Sequence, residues 1–187
     1  MKLILLRTYI HLTSGGFLMH ALFKQAFSDY IIHFHVYRDY FECHEIMEDA
    51  WKQKSQFTKQ DPEVALIMLA TAMYHLRRHN KRGTHTLLKK TIQLLKINKT
   101  FLSEYLDISI LIEQITDIQK YLTYYPITLP VIEAIDIKNY YEPTQAIIHK
   151  HKLRDRTEVI QARNMALHNK YPIQDTPDDT HQGDKTE

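Results

Sequence analysis

The residues best suited to chemistry lie in one short stretch, His44-Glu45-x-x-Glu48. On a helix, His44 and Glu48 lie one turn apart, so both can face the same ion or ligand. Imidazole and carboxylate groups are ligands for Zn²⁺, so the stretch allows a divalent metal site formed by His44, Glu48 and His75 from another helix. Glu45 would then be the candidate general base of a metal-dependent hydrolase, by analogy to the zinc-protease helix.

Two other interpretations of the HExxE stretch need no metal. The zinc-protease helix carries a second histidine where this chain has Glu48, so HExxE alone is a weak pattern. A buried polar network would join the stretch to a second helix through His75, Arg78 or Arg82 and fix how the two helices pack. A pocket between helices, with Trp51 as its apolar wall, would bind a small polar molecule. The polar network is the interpretation that we favour from the sequence.

The helix that carries HExxE has an arc of apolar side chains. At about 100° per residue, one arc of roughly 120° holds Tyr40, Phe41, His44, Met47, Glu48 and Trp51. Glu45 falls at the edge of this arc, and Cys43 points away from His44. We therefore expect the arc to be buried, with His44 and Glu48 among apolar neighbours. Asp39 is the expected N-cap of this helix.

A helix that is apolar on all sides should form the centre of the fold. Asp61-Pro62-Glu63 is a strong helix start, with Asp61 as N-cap and a proline in the first position. The segment from Val64 to Leu76 that follows is apolar all round, which is typical of a buried helix. We expect a further helix from Thr84 to about Ile97, so that the two form an αα-hairpin across the link 80–83.

The link between these two helices has two interpretations. Asn80 can cap the following helix, and Gly83 allows close approach or an unusual turn. Alternatively, Arg78 and Arg82 could bind a phosphate or carboxylate together with the helix N-terminus. We favour the capping interpretation.

Periodicity and composition predict an all-α fold, a compact bundle of about five to six helices around a central αα-hairpin. The chain has 187 residues and only 4 glycines, which suits helices. We expect a poorly ordered extension at 1–18, with Met19 as an alternative start. A helical core domain at 19–125 and a C-terminal helical extension at 126–170, packed on the core, should follow. A disordered acidic tail at 171–187 should end the chain. Asp107 should cap a helix that Pro126 and Pro130 end.

Charge and hydropathy limit the class of partner. The net charge of +2 is too small to argue for nucleic acid, which we do not expect as a partner. The basic stretch 149–156 is interpreted as a solvated helix start. The longest uncharged apolar run, Val64 to Leu76, is shorter than the ~20 residues that a bilayer requires, so we expect no membrane association. Cys43 is a lone cysteine, which excludes an intramolecular disulfide and favours a cytoplasmic location.

Two blocks of the sequence resemble a known family. The first is Tyr40-Phe41-Glu42-Cys43-His44-Glu45-Ile46-Met47-Glu48-x-x-Trp51-Lys52, and the second runs from Tyr74-His75 to Asn80-x-Arg82-Gly83. They are similar to the signature of the YpuF-like domain-of-unknown-function family of small all-helical prokaryotic proteins. The resemblance spans about residues 20–120. It implies an all-α fold of four to six helices, and it supplies no reaction.

The sequence therefore predicts a cytoplasmic helical binding or scaffold module with a polar His/Glu cluster in an interhelical pocket. The residues expected in the pocket or network are His44, Glu45, Glu48, Trp51, His75, Arg78, Asn80 and Arg82. A protein partner or a small polar ligand suits such a site, and we expect no cofactor. A metal-dependent hydrolase that uses the HExxE helix is the alternative, so whether the protein is an enzyme stays open.

Overall fold

A computed structural model describes residues 20–133 and 141–153, together with positions 161 and 165. The chain divides into two compact units, Met1–Lys152 and Leu153–Glu187, and nearly all of the described residues belong to the first. The expected N-terminal extension and acidic tail lie outside the described residues. Residues 134–140 and most of residues 154–170, which belong to the expected C-terminal extension, lie outside them too.

The described residues form helices, together with a non-helical segment that follows Tyr121. Helix α1 covers 20–32 and continues as a π-helical turn, His33–Tyr37. The later helices are α2 (Tyr40–Lys52), α3 (Pro62–Arg77), α4 (Lys81–Ile97), α5 (Lys99–Leu102), α6 (Ile108–Tyr121), α7 (Gln145–Ile148) and α8 (Lys150–Leu153). Within the described ranges the only β-pairing is an isolated bridge between Leu106 and Val131. The prediction of an all-α bundle is confirmed.

The corner between α1 and α2 is sharp and well capped. Arg38 has a left-handed backbone, with φ 50° and ψ 32°, which turns the chain after the π-helical segment. The Asp39 carboxylate then accepts a hydrogen bond from the backbone N–H of Glu42 at 3.0 Å. This bond pairs one of the free N–H groups at the start of α2. It confirms the predicted N-cap.

Helix α3 is the central helix, as its composition predicts. Most of its side chains are buried, including Leu66, Leu69 and Met73, none of which has exposed surface. Asp61 stands at the N-cap position, but its side chain makes no capping bond there. It accepts hydrogen bonds from Thr58 and Lys54 instead. The predicted capping bond of Asp61 is therefore wrong, because nearer donors compete for the carboxylate.

The α3–α4 hairpin is tighter than predicted. Helix α4 begins at Lys81 rather than Thr84, because the side chain of Asn80 accepts a hydrogen bond from Gly83 N–H at 3.0 Å and starts the helix earlier. His79 makes the turn with a positive φ of 59°. A Cβ at Gly83 would lie 2.8 Å from Nδ2 of Asn80, so a larger residue there would displace the capping side chain.

The last long helix is capped as expected but ends earlier. The Asp107 carboxylate accepts hydrogen bonds from the N–H groups of Ser109 and Ile110, which confirms the predicted cap of α6. The helix ends at Tyr121, where Leu122 adopts a left-handed conformation with φ 47°. The prolines at 126 and 130 therefore follow the helix and do not end it. No helix among the described residues is long and apolar enough to cross a membrane.

Candidate functional site

The HExxE helix buries a different face from the one expected. The buried residues of α2 are Tyr40, Cys43, Met47 and Ala50, and Cys43 has no exposed surface. Phe41, His44, Glu48 and Trp51 are only partly buried. The predicted arc is thus rotated about the helix axis. His44 and Glu48 lie at the border of the buried face, and Cys43 occupies its centre.

This rotation leaves the His44, Glu45 and Glu48 side chains accessible. Their exposed fractions are 30%, 27% and 30%. Nδ1 of His44 lies 3.2 Å from Oε1 of Glu45, and Oε1 of Glu48 lies 3.1 Å from Nζ of Lys52. A possible ligand atom from each of the three residues lies within 4.8 Å of the other two. We call these three residues the HExxE cluster.

The cluster has the donor set of a metal centre and part of its geometry. Ligand atoms 2.0–2.2 Å from one Zn²⁺ lie roughly 3–4 Å apart, so modest side-chain rotation would bring these atoms into range. The contact of His44 Nδ1 with Glu45 leaves Nε2 as the coordinating nitrogen, and a carboxylate on the other ring nitrogen is the usual way of orienting a ligand histidine. Glu48 would have to exchange Lys52 for the ion.

The other predicted site residues form a second group at the end of α3. Nδ1 of His75 lies 2.9 Å from Nδ2 of Asn80. Arg78 donates a hydrogen bond to the Tyr74 hydroxyl at 2.7 Å, and its guanidinium lies over that ring. Burial, and then the positive charges of Arg78 and His151, lower the pKa of His75 below its usual value. His75 does not belong to the HExxE cluster, which is the only group of possible metal ligands among the described residues.

Arg82 and Trp51 each have another position. Arg82 is exposed in the first turn of α4. Nε1–H of Trp51 donates to the Thr58 carbonyl at 3.0 Å, and the indole packs edge-on against Phe57 with ring centroids 4.9 Å apart. Trp51 thus packs against the connection between α2 and α3 and holds it by this hydrogen bond.

Aromatic rings occupy the surface between the two groups. The imidazole of His151 lies 5.7 Å from the ring of Phe41 on α2 and 6.3 Å from that of Tyr74 on α3. Phe41 also stacks against His44 at 6.5 Å. Sequence reasoning missed His151, because it lies more than one hundred residues from Phe41 and no local pattern links them. The basic stretch that contains it was the only signal.

The neighbouring Lys150 is also engaged with α2. Its ammonium lies 2.7 Å from Asp39 and 2.6 Å from Glu42, in the first turn of the helix. Desolvation lowers the pKa of Lys150, but the hydrogen bonds and charges of the two carboxylates outweigh it and raise that pKa. At Lys150 and His151, therefore, the stretch interpreted as a solvated helix start contacts side chains of α2 and α3 and the Asp39 cap.

A buried ionic network lies where the connection after α2 meets the start of α3, and the sequence did not indicate it. Nζ of Lys54 lies 2.7 Å from Asp61 and 3.2 Å from Glu63. The exposed fractions of the Lys54 and Glu63 side chains are 8% and 3%. Hydrogen bonds from Lys54 and Thr58 lower the pKa of Asp61 against the opposing effect of burial.

A cavity beside α1 does not include the predicted site residues. It has a volume of about 460 Å³ and lies between α1 and the segments near α5 and Val131. Its lining residues are His20, Ala21, Lys24, Phe27, Ser28, Glu104, Tyr105, Val131 and Glu133. The HExxE cluster thus lies on an open helix border and does not line this cavity.

The fold and the cluster define a class of small helical proteins with HExxE on the second helix and a polar cap after the third. A profile of the family described as "Domain of unknown function (DUF309)" matches residues 27–87, which contain both features. The chain also resembles the "Uncharacterized protein YpuF" of Bacillus subtilis (strain 168). The two are 32% identical over 166 residues, which cover 78% of this chain and 95% of that protein. The chain belongs to this domain-of-unknown-function family, as its sequence blocks predict. No solved structure matches it.

Proposed function

We propose that this protein is a helical binding module and that the HExxE cluster is its ligand site, for a divalent cation of the Zn²⁺ class. The observation that carries the proposal is the convergence of one imidazole and two carboxylates within 4.8 Å on a partly exposed helix border, where His44 and Glu48 would hold the ion and Glu45 would orient His44. A cytoplasmic location stays part of the proposal. It is supported by the lone Cys43, which has no cysteine to pair with.

The partners of the cluster support a cation rather than a purely structural role. Among the described residues, the Glu48 carboxylate is paired with Lys52 alone, on its own helix, in an exposed i,i+4 contact that is worth little. Releasing this pair therefore costs little. The buried Lys54 network pairs the connection after α2 with the start of α3. The polar partners of His44 and Glu48, which are Glu45 and Lys52, lie on α2 itself and therefore do not fix how α2 packs against α3.

A metal-dependent hydrolase is the alternative function, with Glu45 as general base. The contact at 3.2 Å between Glu45 and Nδ1 of His44 disfavours it. A carboxylate that accepts a hydrogen bond from an imidazole is less available to take a proton from water. The same contact favours a positioning role for Glu45, in which it orients His44 toward an ion.

Calorimetric titration of the chelator-treated protein with Zn²⁺, Mn²⁺ and Mg²⁺ tests the proposal. We expect one Zn²⁺ per chain, with binding weakened at least 10-fold by His44→Ala and by Glu48→Gln. Removing an orienting partner typically costs 10–100-fold in metal affinity, so Glu45→Gln should weaken Zn²⁺ binding within that range. If the protein is instead a hydrolase with Glu45 as general base, the Glu45→Gln variant should bind Zn²⁺ as tightly as the wild type and lose only activity.

Matched controls come from exposed residues elsewhere in the bundle. His85→Ala and Glu113→Gln remove the same side-chain types from α4 and α6. They should leave Zn²⁺ binding unchanged. Stoichiometry below ~0.1 ion per chain, or equal losses in cluster and control variants, would overturn the cation site.

A further inference from the structure

The charge of the chain is concentrated in one segment that the small net charge conceals. From Val64 to Ser103 the sequence contains eight Lys and Arg residues and no Asp or Glu. Five of these eight bases lie in α4 (Lys81–Ile97). Helix α4 itself contains no acidic residue. All the charged side chains of α4 are therefore of one sign, although the whole chain carries only +2.

The basic side chains of α4 are aligned along its solvent face. At about 100° per residue, an arc of roughly 60° contains Arg82, His85, Lys89 and Lys96, all of which are exposed. We call these four residues the basic row. Arg82, Lys89 and Lys96 follow one another every seven residues, which places them about 10 Å apart along the axis. Within the described ranges, no carboxylate lies within ion-pairing distance of these four side chains.

The rest of α4 is already used by the fold. Its opposite face buries Thr84, Leu88, Thr91, Leu94 and Leu95 against the core. The apolar side of this amphipathic helix is therefore not available to insert into a lipid surface. The basic row is an exposed charged face on a rigid, internally packed helix.

We infer that the basic row binds the phosphate backbone of a nucleic-acid duplex without reading its sequence. Its charges are unpaired, aligned and supplied by Lys and Arg, which dominate contacts to phosphates. A protein partner fits less well, since Lys is depleted at protein interfaces and the row contains no aromatic or aliphatic anchor. Single strands fit less well too, because the row contains no Trp, Tyr or Phe ring for bases to stack on.

Fluorescence anisotropy with labelled 24-base-pair DNA and RNA duplexes tests the inference on the full chain. Three or four phosphate contacts predict that log K falls against log salt with a slope of roughly −3. The double variant Lys89→Glu/Lys96→Glu should bind at least 10-fold more weakly at 50 mM salt. Its slope should be shallower by about two. Comparing the two duplexes shows whether DNA or RNA is preferred.

The matched control changes the same charge at exposed lysines outside α4. Lys59→Glu/Lys120→Glu should bind nearly as tightly as the wild type, because neither lysine belongs to the row. Equal losses of duplex affinity in both double variants would show that only the net charge matters, and would overturn the inference. Salt-independent binding, tighter binding to single strands, or equal binding to polyglutamate or anionic vesicles would also overturn it. His44→Ala should not affect duplex binding, so this test and that of the cation site fail separately.

Discussion

Two clusters of charged side chains border α2, and they combine similar residue types in different surroundings. The Lys54 network joins a lysine to two carboxylates, and the Lys54 and Glu63 side chains are 8% and 3% exposed. The HExxE cluster and its neighbour Lys52 also contain two carboxylates and one lysine, but Glu48 and Lys52 are 30% and 55% exposed. One cluster is removed from water and internally paired. The other remains accessible.

This difference in exposure distinguishes charged groups that stabilise the fold from charged groups that are available to a ligand. A buried ion pair is costly to break, because the remaining charge has lost both water and its partner. An exposed pair can exchange its partner for water or a cation at little cost. The Lys54 network should therefore determine stability, and the HExxE cluster should contribute little to it. Each of the following predictions tests this contrast.

The largest effect should follow removal of Lys54. Lys54→Ala leaves Asp61 and Glu63 without their cation, so we expect the free energy of unfolding to fall by about 3–5 kcal/mol. Lys52→Ala is the matched control and should cost at most about 1 kcal/mol. Urea unfolding of both variants gives the comparison. Equal losses would remove the distinction between the two clusters.

A buried titratable group without a charged partner should cause a pH dependence nearly as large. His35 is 5% exposed, its Nε2 accepts the Leu129 N–H at 2.9 Å, and its Nδ1 has no hydrogen-bond partner in the part of the chain that the structure describes. Burial lowers the pKa of His35 from 6.5 to about 4. Between these values the unfolded chain binds a proton that the folded chain does not. Lowering the pH from 6.5 to 4 should therefore reduce the free energy of unfolding by up to about 3 kcal/mol.

Unfolding measured at several pH values in His35→Gln tests the assignment. The decline from pH 6.5 to 4 should become much shallower, because glutamine does not titrate. His75→Gln should change it less, since His75 is more exposed than His35. A variant that keeps the full wild-type pH dependence would place its origin elsewhere.

An intermediate effect is expected at the N-terminal end of α2. Lys150 pairs with Asp39 and Glu42 and holds the segment that contains α7 and α8 against that helix. Its side chain is 37% exposed, so Lys150→Ala should cost only about 1–2 kcal/mol. Amide exchange of residues 145–149 should accelerate, while that of α3 should not. Unchanged exchange there would mean that the lysine does not secure the segment.

The smallest effect should come from the HExxE cluster itself. Glu48→Gln should change the free energy of unfolding by less than about 1 kcal/mol, because the Lys52 pair is exposed. The same substitution at Glu63 should cost about 1–3 kcal/mol, since Lys54 is buried against it. Thermal unfolding of the two variants separates them. A large loss at Glu48 would assign the cluster to packing and argue against a ligand site.

The sequence alone determined the helical class, the central position of α3 and three of the four predicted caps. Asp39, Asn80 and Asp107 cap their helices as expected, because a capping bond depends on residues three or fewer positions apart. The apolar composition of α3 likewise predicts burial whatever packs around it. The two sequence blocks also indicated the family correctly.

Tertiary structure decided which face of α2 is buried and which charges are paired. A helical projection gives relative angles, but the neighbouring helices fix the rotation, so Cys43 rather than His44 faces the core. The pairing of Lys150 with Asp39 joins residues more than one hundred positions apart, and no local pattern predicts it. The hydrogen bond from Leu129 N–H to His35 also joins residues far apart in the sequence, and no local pattern predicts it. HExxE was visible in the sequence, and only the packing of α2 showed that its side chains remain accessible.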